Sequence, residues 1–210
     1  MGLTIVYTGR ITANAFKPIA KERRWREMAT PPVWPPKNKH YALDNGAFIA
    51  HRDGKEWDQA KYEQCLTWAE ENRMPDWTVA PDILGGGWES WQRSEEWRPQ
   101  LQARGFKVYL AVQDGMKPGK EMGVYDGIFV GGTTRWKLDT GPQWAEFAHY
   151  GRQKCHVGRV GTYPRVLWAA RINADSIDSN QMLWSKRDMQ LFCDGLDGRQ
   201  VEMGTEVTLP

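Results

Sequence analysis

Short apolar runs alternate along this chain with longer stretches of helical spacing. The runs at 3–7, 41–43, 77–80, 107–112, 127–130, 154–157 and 174–177 carry the β-branched, aromatic and aliphatic residues of buried strands. Between them, apolar positions recur every three or four residues, predicting helices over about 14–28, 57–73, 88–104, 140–153, 162–171 and 185–196. In 57–73 the apolar set is Trp57, Ala60, Cys65, Leu66, Trp68 and Ala69, with charges between them. Thr140-Gly141-Pro142 reads as a helix opening, since proline suits a first turn. The segment Pro31-Pro32-Val33-Trp34-Pro35-Pro36 cannot be helical and reads as an extended loop. Seven strands are visible, and an irregular eighth is expected near 182–185.

Strand–helix alternation implies a parallel sheet with helical crossovers. Both an open doubly wound sheet and a closed barrel satisfy it, and the strand ends separate them. Asp44-Asn45-Gly46-Ala47-Phe48 follows 41–43, and Pro81-Asp82 follows 77–80. Gln113-Asp114-Gly115 closes 107–112, Gly131-Gly132-Thr133-Thr134 closes 127–130, Gly158-Arg159 closes 154–157, and Asp178-Ser179 closes 174–177. A barrel gathers all such ends on one rim, where its active sites lie. A Rossmann sheet would need a GxGxxG turn after its first strand, which is missing here, and Gly85-Gly86-Gly87 lacks the spacing and lysine of a phosphate loop. The expected fold is a compact α/β (β/α)8 TIM-type barrel occupying 1–210 as one domain. A lone strand-end aspartate is often only a helix cap, and glycine pairs are often only turns. Their serial recurrence is what carries the reading. Asp175, inside its strand, reads as structural.

Composition adds less. A net charge of +2 does not announce a nucleic-acid binder, although Lys17, Lys21, Arg23, Arg24, Arg26, Lys37 and Lys39 face only Glu22 and Glu27 within one segment. Such a cluster either binds phosphates or is a solvated face. Twelve tryptophans line a core or a groove, with exposed ones free to stack on bases. Cys65, Cys155 and Cys193 form no CxxC pair, so no disulfide framework, cysteine-rich zinc site or other metal site is expected. No run is long enough to span a membrane, and the N-terminus lacks a secretory pattern, so the expected location is cytoplasmic.

The strand-end segments together resemble the tRNA-guanine transglycosylase superfamily, and within it the phage-type DNA 7-deazaguanine transglycosylases (the DpdA group). Asp44–Phe48 resembles an Asp-Ser-Gly-Gly-Phe segment, Pro81-Asp82 a base-binding aspartate, and Val112-Gln113-Asp114-Gly115 a Val-Gln-Gly-Gly segment. Val130-Gly131-Gly132-Thr133 resembles a glycine segment meeting the base, and Asp175-Ser176-Ile177-Asp178-Ser179 an Asp-x-x-Asp segment carrying the nucleophile. The segments occur in the family's order across about 40–180. Two features depart from the family: Asn45 and Ala47 replace a serine and a glycine, and the cysteine cluster of the transfer-RNA enzymes' zinc subdomain has no counterpart.

The resemblance implies exchange of guanine in DNA for a 7-deazaguanine such as 7-cyano-7-deazaguanine, with no cofactor. Asp178 is then the nucleophile and Asp44 the general acid/base. Asp82, Gln113, Gly131 and Gly132 bind the base, and Phe48 stacks on it or belongs to the core. Lys137, Arg159 and Arg165 touch phosphate or merely decorate the surface. The implied partners are DNA, with transfer RNA less favoured, and the free deazaguanine base, in the host cytoplasm if the chain is phage-encoded. The competing expectations are a transfer-RNA transglycosylase, an N-glycosidase that releases the base to water, and a non-catalytic nucleic-acid-binding barrel.

Overall fold

In the computed structural model, which describes residues 4–200, the apolar runs close on themselves. The strands are β1 (Ile5–Thr8), β2 (Arg26–Ala29), β3 (Tyr41–Leu43), β4 (Thr78–Val79), β5 (Val108–Val112), β6 (Gly127–Val130), β7 (Lys154–Val157) and β8 (Ser176–Asp178). Each pairs in parallel with the next, and β8 returns to β1 through Ile5↔Ser176 and Tyr7↔Asp178, giving the eight-stranded barrel. Around it run α1 (Lys17–Glu22), α2 (Ala47–Arg52), α3 (Gln59–Asn72), α4 (Trp88–Ala103), α5 (Thr134–Tyr150), α6 (Tyr163–Arg171) and α7 (Lys186–Leu196). Two crossovers lack an α-helix. The proline-rich loop joins β2 to β3, and a single 3-10 turn (Lys120–Val124) lies between β5 and β6.

Three expectations change. The missing strand is β2, hidden in the predicted helix 14–28, of which only α1 is helical. Arg26-Glu27-Met28-Ala29 holds two charges, which disguises a strand, yet both are neutralised in place. Glu27 accepts from Arg10 at 3.2 Å, and Arg26 donates to Asp76 at 2.9 Å. The expected eighth strand near 182–185 is instead a 3-10 turn (Gln181–Leu183) followed by Ser185, whose hydroxyl caps α7 through the amide of Asp188 at 3.0 Å. Helix α5 begins at Thr134, not at residue 140, because Thr133 caps it, and Pro142 lies inside it. The first strand was expected from residue 3, which lies outside the described residues.

Alternation within each strand sends one side chain to the helices and the next into the barrel. Val6, Leu43, Leu110, Ile128, Val157 and Ile177 pack outward beneath the helices. Tyr7, Trp77 and Tyr109 point inward, together with the smaller Ala42, Val79 and Ala111. The aromatic residues form a plug in which Trp77 stacks on Tyr109 at 4.5 Å and 7°. Tyr109 fits because Gly127 lies opposite it on β6, where a Cβ would stand 2.5 Å from the tyrosine ring. Above the plug, the small side chains leave space open toward the C-terminal ends of the strands.

Candidate active site

That space is a cavity of about 610 Å3. Its floor is Met28, Val79, Ala111 and Phe129, all from strands, and its wall is the strand-end polar set. Asp44, Phe48, Asp82, Gln113, Gly131, Gly132, Arg159 and Asp178 all border it. Arg165, half-buried on α6, does not.

Asp44 follows β3 directly, and its amide donates to Ala29 O at 2.8 Å, which anchors it to β2. Its carboxylate accepts from the Asn45 amide at 2.9 Å and from the Thr30 hydroxyl at 3.3 Å. These bonds favour the ionised form, but burial and the negative charges of Asp82 and Asp178 outweigh them, pushing its pKa up to about 7. A carboxyl poised there can both give and take a proton near neutrality.

Asp82 is buried, and its two oxygens are held by amides, from Asn45 at 2.8 Å and Gln113 at 2.5 Å. Burial raises its pKa against those hydrogen bonds. Gln113 spends one N–H on Asp82 and keeps a second for a carbonyl acceptor. Asn45 organises the group: its side chain also donates to Ala80 O at 2.9 Å and accepts from the Ala47 amide at 2.8 Å, fixing the start of α2.

Asp178 ends β8. One oxygen accepts from His156 Nε2 at 2.9 Å and the other from the Arg159 amide at 3.3 Å. His156 is fully buried inside the barrel, and burial holds its pKa below the ordinary value, so the ring is neutral at pH 7. A carboxylate only accepts, so Nε2 carries the proton and Nδ1 accepts from the Ser176 hydroxyl at 2.8 Å. The neutral imidazole thereby orients Asp178 without adding a charge.

Glycine is required just past the end of β6. Gly132 has φ +68°, and a Cβ there would lie 2.6 Å from both Asp114 Oδ2 and the Trp136 ring. Bare backbone therefore faces the cavity at this point. Arg159 reaches across to the Gly132 carbonyl and lies 4.9 Å over the Phe48 ring, so it roofs the cavity. Phe48 is 38% exposed and is not a core phenylalanine.

Lys137 requires a correction. It is buried in the first turns of α5, and its ammonium donates to the Gly158 carbonyl, so it is not a surface contact for phosphate. Burial, with Arg159 adding to it, lowers its pKa to about 7. Asp175 lies away from the cavity, accepting from Lys154 at 2.8 Å and the Cys155 amide at 2.9 Å, which fits its structural reading. His156 was missed in the sequence, although its inward parity within 154–157 was a signal. Asn45 stood there only as a departure from a pattern.

Among the described residues, no three His, Cys, Asp or Glu side chains are placed to hold a metal ion. No described helix is long and apolar enough to cross a membrane. No protein-family model matches the chain, and no curated protein matches its sequence.

Proposed function

We propose that the chain is a pentosyltransferase that exchanges guanine in DNA for a 7-deazaguanine derivative, such as 7-cyano-7-deazaguanine, in the manner of the transglycosylase family its segments resemble. The observation that carries this reading is the pairing, around one cavity, of a carboxyl poised near pH 7 (Asp44) with a carboxylate fixed by neutral donors (Asp178). Breaking an N-glycosidic bond without loss of the sugar to water calls for such a pair: one carboxylate to trap the sugar and one carboxyl to move protons.

In the first half-reaction, an Asp178 oxygen attacks C1′ of a flipped deoxyguanosine. The C1′–N bond breaks, its electron pair leaves with guanine, and protonated Asp44 supplies the proton that makes the base neutral. In the second half, the incoming deazaguanine gives its ring N–H proton to Asp44. Its freed nitrogen attacks C1′, and the sugar ester releases Asp178 as a carboxylate. Asp82 accepts from the base's ring N–H and amino group, Gln113 donates its spare N–H to the base carbonyl, and the backbone at Gly131 and Gly132 approaches the ring edge. Phe48, held beneath Arg159, offers a face on which the base stacks.

The test supplies radiolabelled 7-deazaguanine with guanine-containing DNA and, separately, with transfer RNA. Label entering DNA in step with guanine release is the expected result. Guanine release without label uptake would make the protein a hydrolase, and uptake confined to transfer RNA would change the polymer.

A further inference from the structure

Single exposed aromatic side chains are ordinary on a folded domain, but several gathered on one face, beside a cavity, mark a candidate docking surface. Trp34, Trp88 and Trp184 are 50%, 47% and 76% exposed. All three sit in connections leaving the C-terminal ends of strands: Trp34 after β2, Trp88 after β4 and Trp184 after β8. They therefore belong to the face that holds the cavity. Arg10, just past β1, donates to the Trp34 carbonyl at 2.9 Å. Asn180 accepts from the Gly9 amide at 2.6 Å, which ties the connection carrying Trp184 to the same edge. The connection carrying Trp88 supplies Leu84 and Gly85 to the cavity wall.

A second feature starts at that edge. Where no helix covers β2, a groove of about 690 Å3 runs between α1 and the β2 wall, from Thr8 and Gly9 at the rim to His40. Lys17, Lys21, Arg24 and Lys39 line it and are exposed. Among the described residues, none of these four lies within ion-pair distance of a carboxylate. The groove's one acidic residue, Glu27, is already paired with Arg10. The upper end of the groove thus lies between the connections that carry Trp34 and Trp184.

Resting on the transglycosylase reading, we infer that the chain engages its nucleic acid as an unpaired single strand, with bases stacked on Trp34, Trp88 and Trp184 and phosphates laid along the Lys17, Lys21, Arg24 and Lys39 groove. An indole needs the open face of a base, and in a duplex those faces are shut inside the stack. Cations alone would serve either form, because both carry the same phosphates. Cations leading onto ringed indoles fit only the strand whose bases are free. Delivery of an unstacked strand also removes most of the cost of flipping the target base into the cavity.

The experiment measures anisotropy of labelled oligothymidylate, about 12 nucleotides long, a length that spans a typical single-strand site, against the same sequence in a duplex. The single strand is expected to bind at least about tenfold more tightly, each stacked base being worth several-fold in affinity. Trp34→Ala and Trp184→Ala should each weaken it by roughly 5- to 100-fold with the salt dependence unchanged, and Trp→Phe at either position should restore most of the loss. Replacing Lys17, Lys21, Arg24 and Lys39 by Ala should flatten the salt dependence by up to about three logarithmic units per decade. Equal or tighter duplex binding would overturn the inference. So would tryptophan variants that bind normally, or anionic phospholipid vesicles that bind as tightly as the strand. Oligothymidylate contains no guanine, so its binding is read apart from exchange: tight binding of it, with no label entering guanine-containing DNA or transfer RNA, would refute the transglycosylase reading and leave this one intact. Full exchange on a closed duplex by the tryptophan variants would refute this one alone.

Discussion

Asp44 keeps its proton up to about pH 7, whereas an unfolded chain releases it near about 3.9. Between those values the native state holds more protons, so its stability falls as pH rises from about 4 to 7. Asp44→Asn removes that cost. We expect the variant to be more stable than the parent at pH 8 by on the order of 2–4 kcal/mol, with the gap closing toward pH 4, as read by urea unfolding at both pH values. The same proton governs rate. With guanine-containing DNA, kcat/KM should fall above about pH 7, where Asp44 can no longer protonate the leaving base. Asp44→Asn should lack that limb and run slower by roughly 10²–10⁴.

His156 acts at the same scale but through Asp178. His156→Phe keeps an aromatic ring inside the plug and removes the N–H that fixes the carboxylate. Loss of orientation should lower kcat by roughly 10- to 100-fold with KM little changed, and His156→Gln, which retains a donor, should recover part of it. A kcat unaffected by His156→Phe would show that Asp178 needs no such support. The aspartates and Gln113 were legible in the sequence because polar residues at strand ends stand out against apolar runs. His156 was not, because its neighbours Trp77 and Phe129, 4.8 and 4.7 Å away, meet it only once the barrel closes.

At the scale of elements, the barrel interior is filled by fitting one strand's bulk to its neighbour's lack of it. Tyr109 on β5 lies opposite Gly127 on β6, and a Cβ at Gly127 would press on the ring. Gly127→Ala should destabilise the fold by about 2 kcal/mol through overpacking. Tyr109→Ala alone should cost about 3–5 kcal/mol, and the double variant less than the sum of the two. Additive losses in chemical denaturation would mean that the two residues do not share that space. Apolar runs such as Val108–Val112 reveal their strands plainly. β2 escaped notice because Arg26 and Glu27 carry charges whose partners, Asp76 and Arg10, are remote in sequence. Lys137 was misread for a related reason. Placing the start of α5 at residue 140 leaves Lys137 in a surface loop, whereas the Thr133 cap draws it into the first turns of the helix and under Gly158.

For the whole molecule, the barrel does two things. It brings Asp44, Asp82, Gln113, Gly132 and Asp178, which come from segments far apart in sequence, to one cavity. It also leaves β2 without a covering helix, so that a basic groove opens from the rim beside that cavity. Strand–helix alternation made the architecture legible, while the groove became visible only once the predicted helix 14–28 resolved into the short α1 and the strand β2 beside it. The central claim concerns Asp178, and a covalent link between its carboxylate and a DNA sugar tests it most directly. Protein incubated with guanine-containing single-stranded DNA, without an incoming base, should yield a denaturant-resistant adduct that peptide mass analysis places on Asp178. The adduct should be lost in Asp178→Asn, while the incoming deazaguanine should discharge it in the parent protein. An adduct that forms at the parent level in Asp178→Asn, or full base exchange by that variant, would contradict the account.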